Sequence, residues 1–304
     1  MYKENKMVLP KFQYHEPKNL GEACEIIAGL KENARPLAGG TDLLVNMKKG
    51  SISPKHVISL SKLEELKVLG IKNKHLNIGS CVTAAELAES TIVQHDFGAL
   101  CAGAGNLGSP LIRNLATIGG NLISARPAAD LPPSLMAYGG KAVLVKKGGQ
   151  RSVDLKAFFK GLGETVAEPD EILSHIHLDM PPSYSGGGYM KLGKRNALEI
   201  SIVNVAAFIA LDSPDGAIRD VCIVLGSVGP VPLRAENAEK TLKGEVPGPS
   251  LFIKAGEAAS RECKPIDDFR GSAWYRREMV AELTRRALTM AFIEAKAREL
   301  RRWK

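Results

Sequence analysis

The sequence predicts an α+β fold in two domains, and three observations carry that expectation. Short alternating apolar stretches recur among segments of helical spacing: 56–60 (HVISL), 75–80 (HLNIGS) and 172–180 (ILSHIHLDM) read as strands. The run 141–153 (KAVLVKKGGQRSV) is strand, glycine turn, strand, a hairpin that argues against a doubly wound parallel sheet. The chain has 304 residues, comfortable for two domains, and its tightest Pro/Gly group, 180–188 (MPPSYSGGG), marks a linker or boundary.

The remaining elements follow in order. Residues 18–30 are an amphipathic helix, with Leu20, Ala23, Ile26 and Ile27 on one face. Residues 35–38 are a short apolar step into a glycine loop, and 61–66 (SKLEEL) a turn with helical character. Thr83 and Glu86 have capping-box spacing, so a helix occupies 84–90, and 91–108 is helical before it turns. Past the boundary, 189–194 and 200–211 are strand material, the second with a helical alternative, and 221–229 is another strand. Residues 232–244 form a polar helix. A long helix runs from about Ala273 to Arg302, with Met279, Leu283, Ala287, Met290 and Ile293 at three- and four-residue spacing.

Composition bounds the function. A chain 44% hydrophobic and 24% charged is globular rather than disordered. No apolar run approaches the ~18 residues of a membrane span. The N-terminal MYKENKMVLPKF has no apolar signal core, so the expected location is the cytoplasm. Cys24, Cys81, Cys101, Cys222 and Cys263 are scattered; without clustered thiolates they read as small buried hydrophobes, and no metal or iron–sulfur site is expected in this chain. The formal net charge is +8, with Arg298, Arg301, Arg302 and Lys304 bunched at the C-terminus. No aromatic platform is interleaved with these cations, which disfavours nucleic acid. They suit the C-terminal end of a helix dipole, and the surplus suits an anionic cofactor or an acidic partner.

Four glycine clusters compete as ligand sites: Gly39-Gly40-Thr41-Asp42, Gly103 to Gly108, Thr117-Ile118-Gly119-Gly120-Asn121, and Gly186 to Gly188. The second is a formal G-x-G-x-x-G with Asp130 downstream, but a helical segment precedes it and Ser109-Pro110 follows, so it lacks the strand–turn–helix setting of a dinucleotide fingerprint. The first and third resemble each other. A Gly-Gly pair lets successive N–H groups converge on an anion, and two such nests could hold a pyrophosphate from both sides. Two unrelated tight turns would show the same pattern, and both readings stay open on the residues alone. Neither loop has a P-loop lysine, which argues against an NTPase. His175 and His177 share one strand face without a third ligand nearby in sequence and read as edge or surface histidines. Anion-binding machinery with little acid–base machinery suits a protein whose cofactor does the chemistry.

Residues 35–48 (RPLAGGTDLLVNMK) and 112–139 (IRNLATIGGNLISARPAADLPPSLMAYG) closely resemble the two flavin loops of the FAD-binding medium subunits of molybdenum hydroxylases, the family of xanthine dehydrogenase and aerobic carbon monoxide dehydrogenase. Residues 76–87 and 224–244 are similar to further signatures of that family, and the resemblance spans roughly residues 8 to 295. It implies an FAD-binding domain of the vanillyl-alcohol-oxidase (PCMH) type over residues 1–182, in two subdomains split near 62–68, and a smaller α+β domain of sheet on helices over 183–304. It implies that Leu37, Ala38, Gly39, Gly40 and Thr41 hold the FAD pyrophosphate through backbone N–H groups, with Asp42 and Leu43 completing the loop. Thr117, Ile118, Gly119, Gly120 and Asn121 would face them, and Ser124 and Asp130 would bond polar parts of the cofactor. Lys191, in a K-x-x-x-R pattern with Arg195, and Ile200 would lie near the flavin ring. Asp42 is expected to turn its carboxylate away from phosphate and accept N–H bonds that brace the loop, while Leu43 and Leu44 anchor it in the core.

Two departures stand out. Of the acidic pair that often follows the arginine, only Glu199 remains in Asn196-Ala197-Leu198-Glu199, and no cysteine-rich insertion separates Asn121 from Asp130. With Thr41 after the glycines instead of a His or Cys, the FAD is expected to be non-covalent. The resemblance implies an electron-transfer subunit of a flavoprotein oxidoreductase, inactive on the organic substrate without its partners. Those partners are a molybdopterin-binding large subunit and a small subunit with two [2Fe–2S] clusters, in a dimer of heterotrimers that passes electrons to NAD, a quinone or another acceptor. No catalytic residue of its own is expected. The alternative is a self-sufficient FAD-dependent oxidoreductase of the same wider fold.

Overall fold

The computed structural model of the chain describes residues 8–195 and 198–302. Its first layer is a small parallel sheet. Strand β1 (Gln13–His15) leads to helix α1 (Leu20–Leu30), then to strand β2 (Ala34–Leu37), helix α2 (Leu43–Lys48) and strand β3 (His56–Ser59). The spatial order is β1-β3-β2, with parallel pairing throughout. Helix α1 starts where the Asn19 side chain accepts the Glu22 N–H, and it buries Ala23, Cys24 and Ile27 on the sheet.

The second layer opens with strands β4 (Leu69–Lys72) and β5 (His75–Gly79). Six helices follow: α3 (Ala84–Glu89), α4 (Thr91–Asp96), α5 (Gly98–Gly105), α6 (Pro110–Arg113), α7 (Ile118–Ile123) and α8 (Leu131–Ala137). The chain then returns as hairpin β6 (Lys141–Lys146) and β7 (Gly149–Asp154), a small pair β8 (Phe159–Gly161) and β9 (Glu164–Thr165), and β10 (Ile172–Asp179). These close an antiparallel five-stranded sheet in the order β4-β5-β10-β6-β7. Leu76, Ile78, Ile176 and Leu178 from the sheet, Leu87, Leu100 and Leu135 from the helices, and Phe97 between α4 and α5 share one buried core. The Thr83–Glu86 capping box forms as its spacing predicts.

The third layer is the antiparallel sheet β11 (Ser185–Leu192), β12 (Val203–Leu211), β13 (Ile218–Gly226) and β14 (Leu233–Arg234), in that order. Helices α9 (Glu236–Leu242), α10 (Pro249–Glu262) and α11 (Ala273–Arg302) cover it. The helical alternative at 200–211 loses because β12 pairs on both edges and all nine of its residues are buried. Helix α10 has no counterpart among the sequence expectations; Gly248 stands at its N-cap and Pro249 at its first position. Among the described residues, no helix is long and apolar enough to cross a membrane.

Several expectations change. Gly186 to Gly188, in the group expected to be a linker or boundary, are part of β11, where the missing side chains of Gly186 and Gly188 let α11 lie directly on the strand. His175 and His177 sit on β10, at the centre of its sheet, so they are not edge residues; burial lowers the pKa of both. Arg298 is not a solvated helix-end cation. It is buried, donating to Asp96 at 2.7 Å, to Ser185 Oγ at 3.3 Å and to the Pro181 carbonyl at 3.2 Å, and so ties α11 to α4. The side chains of Arg301 and Arg302, and Lys304, lie outside the described residues, as do Asn196 and Ala197.

Candidate functional site

The first glycine loop leaves β2 at Leu37 and turns at once into α2. Gly40 makes the turn at φ +74°, a left-handed conformation that costs a side-chain-bearing residue about 1–2 kcal/mol. Gly39 is needed for a different reason: a Cβ there would overlap the carbonyl of Leu115. That contact brings the two distant glycine loops together. Asp42 is exposed and caps α2 by position only, since its carboxylate makes no cap hydrogen bond. The expected bracing role is therefore not filled. Nor are Leu43 and Leu44 the anchor; both are half-buried, and Met47, 1% exposed, is what α2 inserts into the core.

The consequence for the backbone is specific. Among the described residues, the N–H groups of Ala38, Gly39, Gly40, Thr41, Asp42 and Leu43 have no acceptor. Six successive unpaired donors on a partly exposed turn are an arrangement that an anion satisfies.

The second loop is built differently. It is the first turn of α7, with Thr117 as N-cap, its Oγ1 accepting the Gly120 N–H at 3.1 Å. Ile118 donates to the Val82 carbonyl, Gly119 to Ser80 and Asn121 to Thr117, so these N–H groups are already engaged. Gly119 is required because a Cβ would stand 2.6 Å from Ser80 Cβ and 2.7 Å from its carbonyl oxygen. Gly120 is exposed, and a Cβ there would meet only Thr117 Oγ1, at 3.1 Å. What this loop offers a ligand is its side chains. Thr117 keeps its hydroxyl proton, and Asn121, whose Oδ1 accepts the Leu131 N–H at 3.4 Å, keeps its amide donors. Ser124 Oγ donates to the Asn121 carbonyl at 3.0 Å and steadies the end of the turn.

Asn121 also links the loop to Asp130, which caps α8. Asp130 is 6% exposed. Its Oδ2 accepts from Lys191 Nζ at 2.8 Å, and its Oδ1 accepts from the Tyr189 hydroxyl at 2.8 Å and from Ser201 Oγ at 3.0 Å. Burial raises the Asp130 carboxyl pKa above its ordinary value, against the opposing pull of Lys191 and the two hydroxyls. Lys191 Nζ also donates to the Asn106 carbonyl at 2.9 Å. Ile200 is next to Ser201 and 57% exposed. Glu199 pairs with Arg195 at 2.9 Å.

The structure thus joins the residues singled out in the sequence into one connected line. Gly39 abuts Leu115, the Thr117–Asn121 turn follows, Asn121 reaches the start of α8, and Asp130 reaches Lys191 on β11. Leu115, Ser80, Asn106, Tyr189 and Ser201 were not anticipated. Only Tyr189 carried a readable signal, since it lies two residues from Lys191 on the same strand face.

An α+β protein with a row of open amides on one loop and a buried Asp130–Lys191 ion pair has groups suited to an extended, phosphate-bearing cofactor. The family model described as the FAD binding domain in molybdopterin dehydrogenase matches residues 10–181, and that of the CO dehydrogenase flavoprotein C-terminal domain matches residues 188–291. The chain belongs to this family of molybdenum-hydroxylase flavoproteins: it is a flavoprotein of the oxidoreductase class, and FAD is its cofactor. It is 31% identical to the carbon monoxide dehydrogenase medium chain of Hydrogenophaga pseudoflava, over 94% of this chain and 99% of that one. It is 29% identical to the xanthine dehydrogenase FAD-binding subunit of Escherichia coli O157:H7, over 93% and 96%. A solved carbon monoxide dehydrogenase from Hydrogenophaga pseudoflava superposes with a TM-score of 0.90 at 31% identity, covering 94% of this chain and 99% of that one.

Proposed function

We propose that this chain is the electron-relay subunit of a multi-subunit molybdenum hydroxylase. It takes electrons from the [2Fe–2S] clusters of a small subunit and delivers them to an external acceptor, while a large molybdopterin-binding subunit acts on the organic substrate. The relatives named as medium chains and FAD-binding subunits support this reading, as does the coverage of nearly their whole length. A dimer of heterotrimers in the cytoplasm is the assembly we attach to it, with residues 1–182 as the FAD domain and 183–304 as the C-terminal domain.

The single observation that carries the proposal is the run of six unpaired N–H groups from Ala38 to Leu43, set against the Thr117–Asn121 turn. These amides would hold the pyrophosphate, with the Thr117 hydroxyl and the Asn121 amide facing them. FAD, when bound, supplies the redox chemistry. The chain's own residues bind and orient it: Lys191 is fixed by Asp130 and Asn106 at the junction of the two family regions, and Ile200 offers an apolar surface beside them. No histidine or cysteine stands in the first loop, and we take the FAD to be held non-covalently.

Absorbance of the purified chain, before and after incubation with FAD, tests this. The expected spectrum is that of a stoichiometric bound flavin, released on denaturation. A colourless protein that takes up no added FAD would sink the reading, and substrate turnover by the isolated chain would favour the self-sufficient alternative. Gly120→Ala refines the test. Its Cβ would stand 3.1 Å from Thr117 Oγ1, a tight contact that a small shift of that side chain relieves, so thermal stability should stay within about 1 kcal/mol of the parent. FAD affinity should nevertheless drop at least roughly tenfold, because the methyl group occupies the phosphate's side of the turn. Full flavin retention by Gly120→Ala would mean that the pyrophosphate lies elsewhere.

A further inference from the structure

The Asp130–Lys191 pair does not stand alone, and its neighbours are arranged with a direction. Both hydroxyls, from Tyr189 and Ser201, converge on the same oxygen, Oδ1, at 2.8 and 3.0 Å. Lys191 donates to the other oxygen at 2.8 Å and to the Asn106 carbonyl at 2.9 Å. Behind Ser201, the Asn204 amide donates to Ser201 Oγ at 3.2 Å and to the Ala129 carbonyl at 3.3 Å. Ser201 Oγ accepts from Asn204 and spends its one proton on Asp130. Tyr189, Ser201 and Asn204 are all buried, and the Tyr189 phenol stays protonated because burial and Asp130 push its pKa well above the usual value.

We propose that Tyr189 and Ser201 are positioning residues that set the redox potential of the bound flavin through Asp130, by occupying one carboxylate oxygen and so limiting how far the acid can draw the Lys191 ammonium to itself. A carboxylate with a bare Oδ1 would take Lys191 on both oxygens and pull it off the Asn106 carbonyl. Two hydroxyl donors neutralise part of the acid's charge and keep Lys191 extended between its two acceptors. An ammonium held in that place favours added negative charge nearby, and reduction of a flavin adds negative charge. The inference rests on the reading that FAD lies along the two glycine loops beside this pair. Neither Tyr189 nor Ser201 needs to touch the cofactor for it to hold.

The test uses the full chain with FAD bound, in Tyr189→Phe, Ser201→Ala and Asp130→Asn and in the Tyr189→Phe/Asp130→Asn combination. The midpoint potential of the bound FAD is measured by spectroelectrochemical titration, alongside flavin content and unfolding temperature. Both hydroxyl deletions should retain FAD and lower its potential. Tyr189→Phe should produce no further shift in the Asp130→Asn background. A merely structural bolt would lower the unfolding temperature and leave the potential alone. Wild-type potential in both flavin-loaded single variants overturns the proposal, and so does a shift of equal size with and without Asp130. If the Asp130→Asn protein releases its FAD, the two single variants decide the matter. A parent chain that binds no FAD fails the functional reading instead, a different and earlier result.

Discussion

Gly39→Ala is expected to purify without flavin and to unfold well below the parent temperature. The methyl group of alanine would overlap the Leu115 carbonyl, and the obstacle is backbone on both sides. No rotamer change relieves such a clash, so the Ala38–Leu43 turn and the segment before Thr117 must separate. Overpacking of this kind costs about 3 kcal/mol or more. The separation also removes the Thr117 hydroxyl and the Asn121 amide from the side opposite the open amides, so flavin content falls together with stability. Gly40→Ala makes a useful contrast. Its strain is local, from φ +74°, and the atom 2.9 Å from its Cβ is Leu44 Cδ1, the movable end of a side chain. Its cost should stay near 1–2 kcal/mol. Flavin absorbance relative to protein, with thermal unfolding, distinguishes the two; a Gly39→Ala protein as yellow and as stable as the parent would show that the loops do not meet.

Gly188→Val is expected to destabilise the chain comparably, by about 3 kcal/mol or more, lowering the unfolding temperature by roughly 10 °C. A Cβ on Gly188 would overlap the Ala287 carbonyl of α11, and one on Gly186 would overlap the Ala291 carbonyl. Helix α11 rests on β11 through Ala287, Ala291 and Ala295, all buried. Valine forces the helix away along its length, loosening the Arg298–Asp96 ion pair at its far end. The glycine loops are untouched by this change. Below the unfolding transition the variant should therefore keep its flavin, which separates it from Gly39→Ala. Calorimetry and flavin content on the same preparation check both statements, and an unchanged unfolding temperature would contradict the packing described.

The glycine clusters show how far the residues alone could be read. All four look alike as text. Gly103 and Gly105 lie inside α5, as the helical pattern before them indicated. Gly186 to Gly188 read as a linker, because a strand with three glycines has no local preference for being a strand; only the helix lying on it supplies the reason. In the loops at 39–40 and 119–120, Gly40 alone has the positive φ expected of a Gly-Gly pair, whereas Gly39 and Gly119 are set by neighbours 76 and 39 positions away in the chain, Leu115 and Ser80. The strands 56–59, 75–79 and 141–154, helix α1, the capping box and the long last helix were legible because alternation, helical spacing and caps are local signals. Helix α10 has no counterpart among the sequence expectations, although Pro249 at its first position is a local start signal.

By itself, then, the sequence determined the α+β class, most of the elements and, through 35–48 and 112–139, the family and its cofactor. These depend on periodicity and on motifs that occupy consecutive residues. Tertiary structure decided which amides are open and which are spent, that Asp130 is buried under Lys191, Tyr189 and Ser201, and that Arg298 is an internal clamp. A hydrogen-bond donor is available or not according to what else reaches it, and burial fixes what a charge must pair with. Both are properties of segments brought together from far apart in the chain.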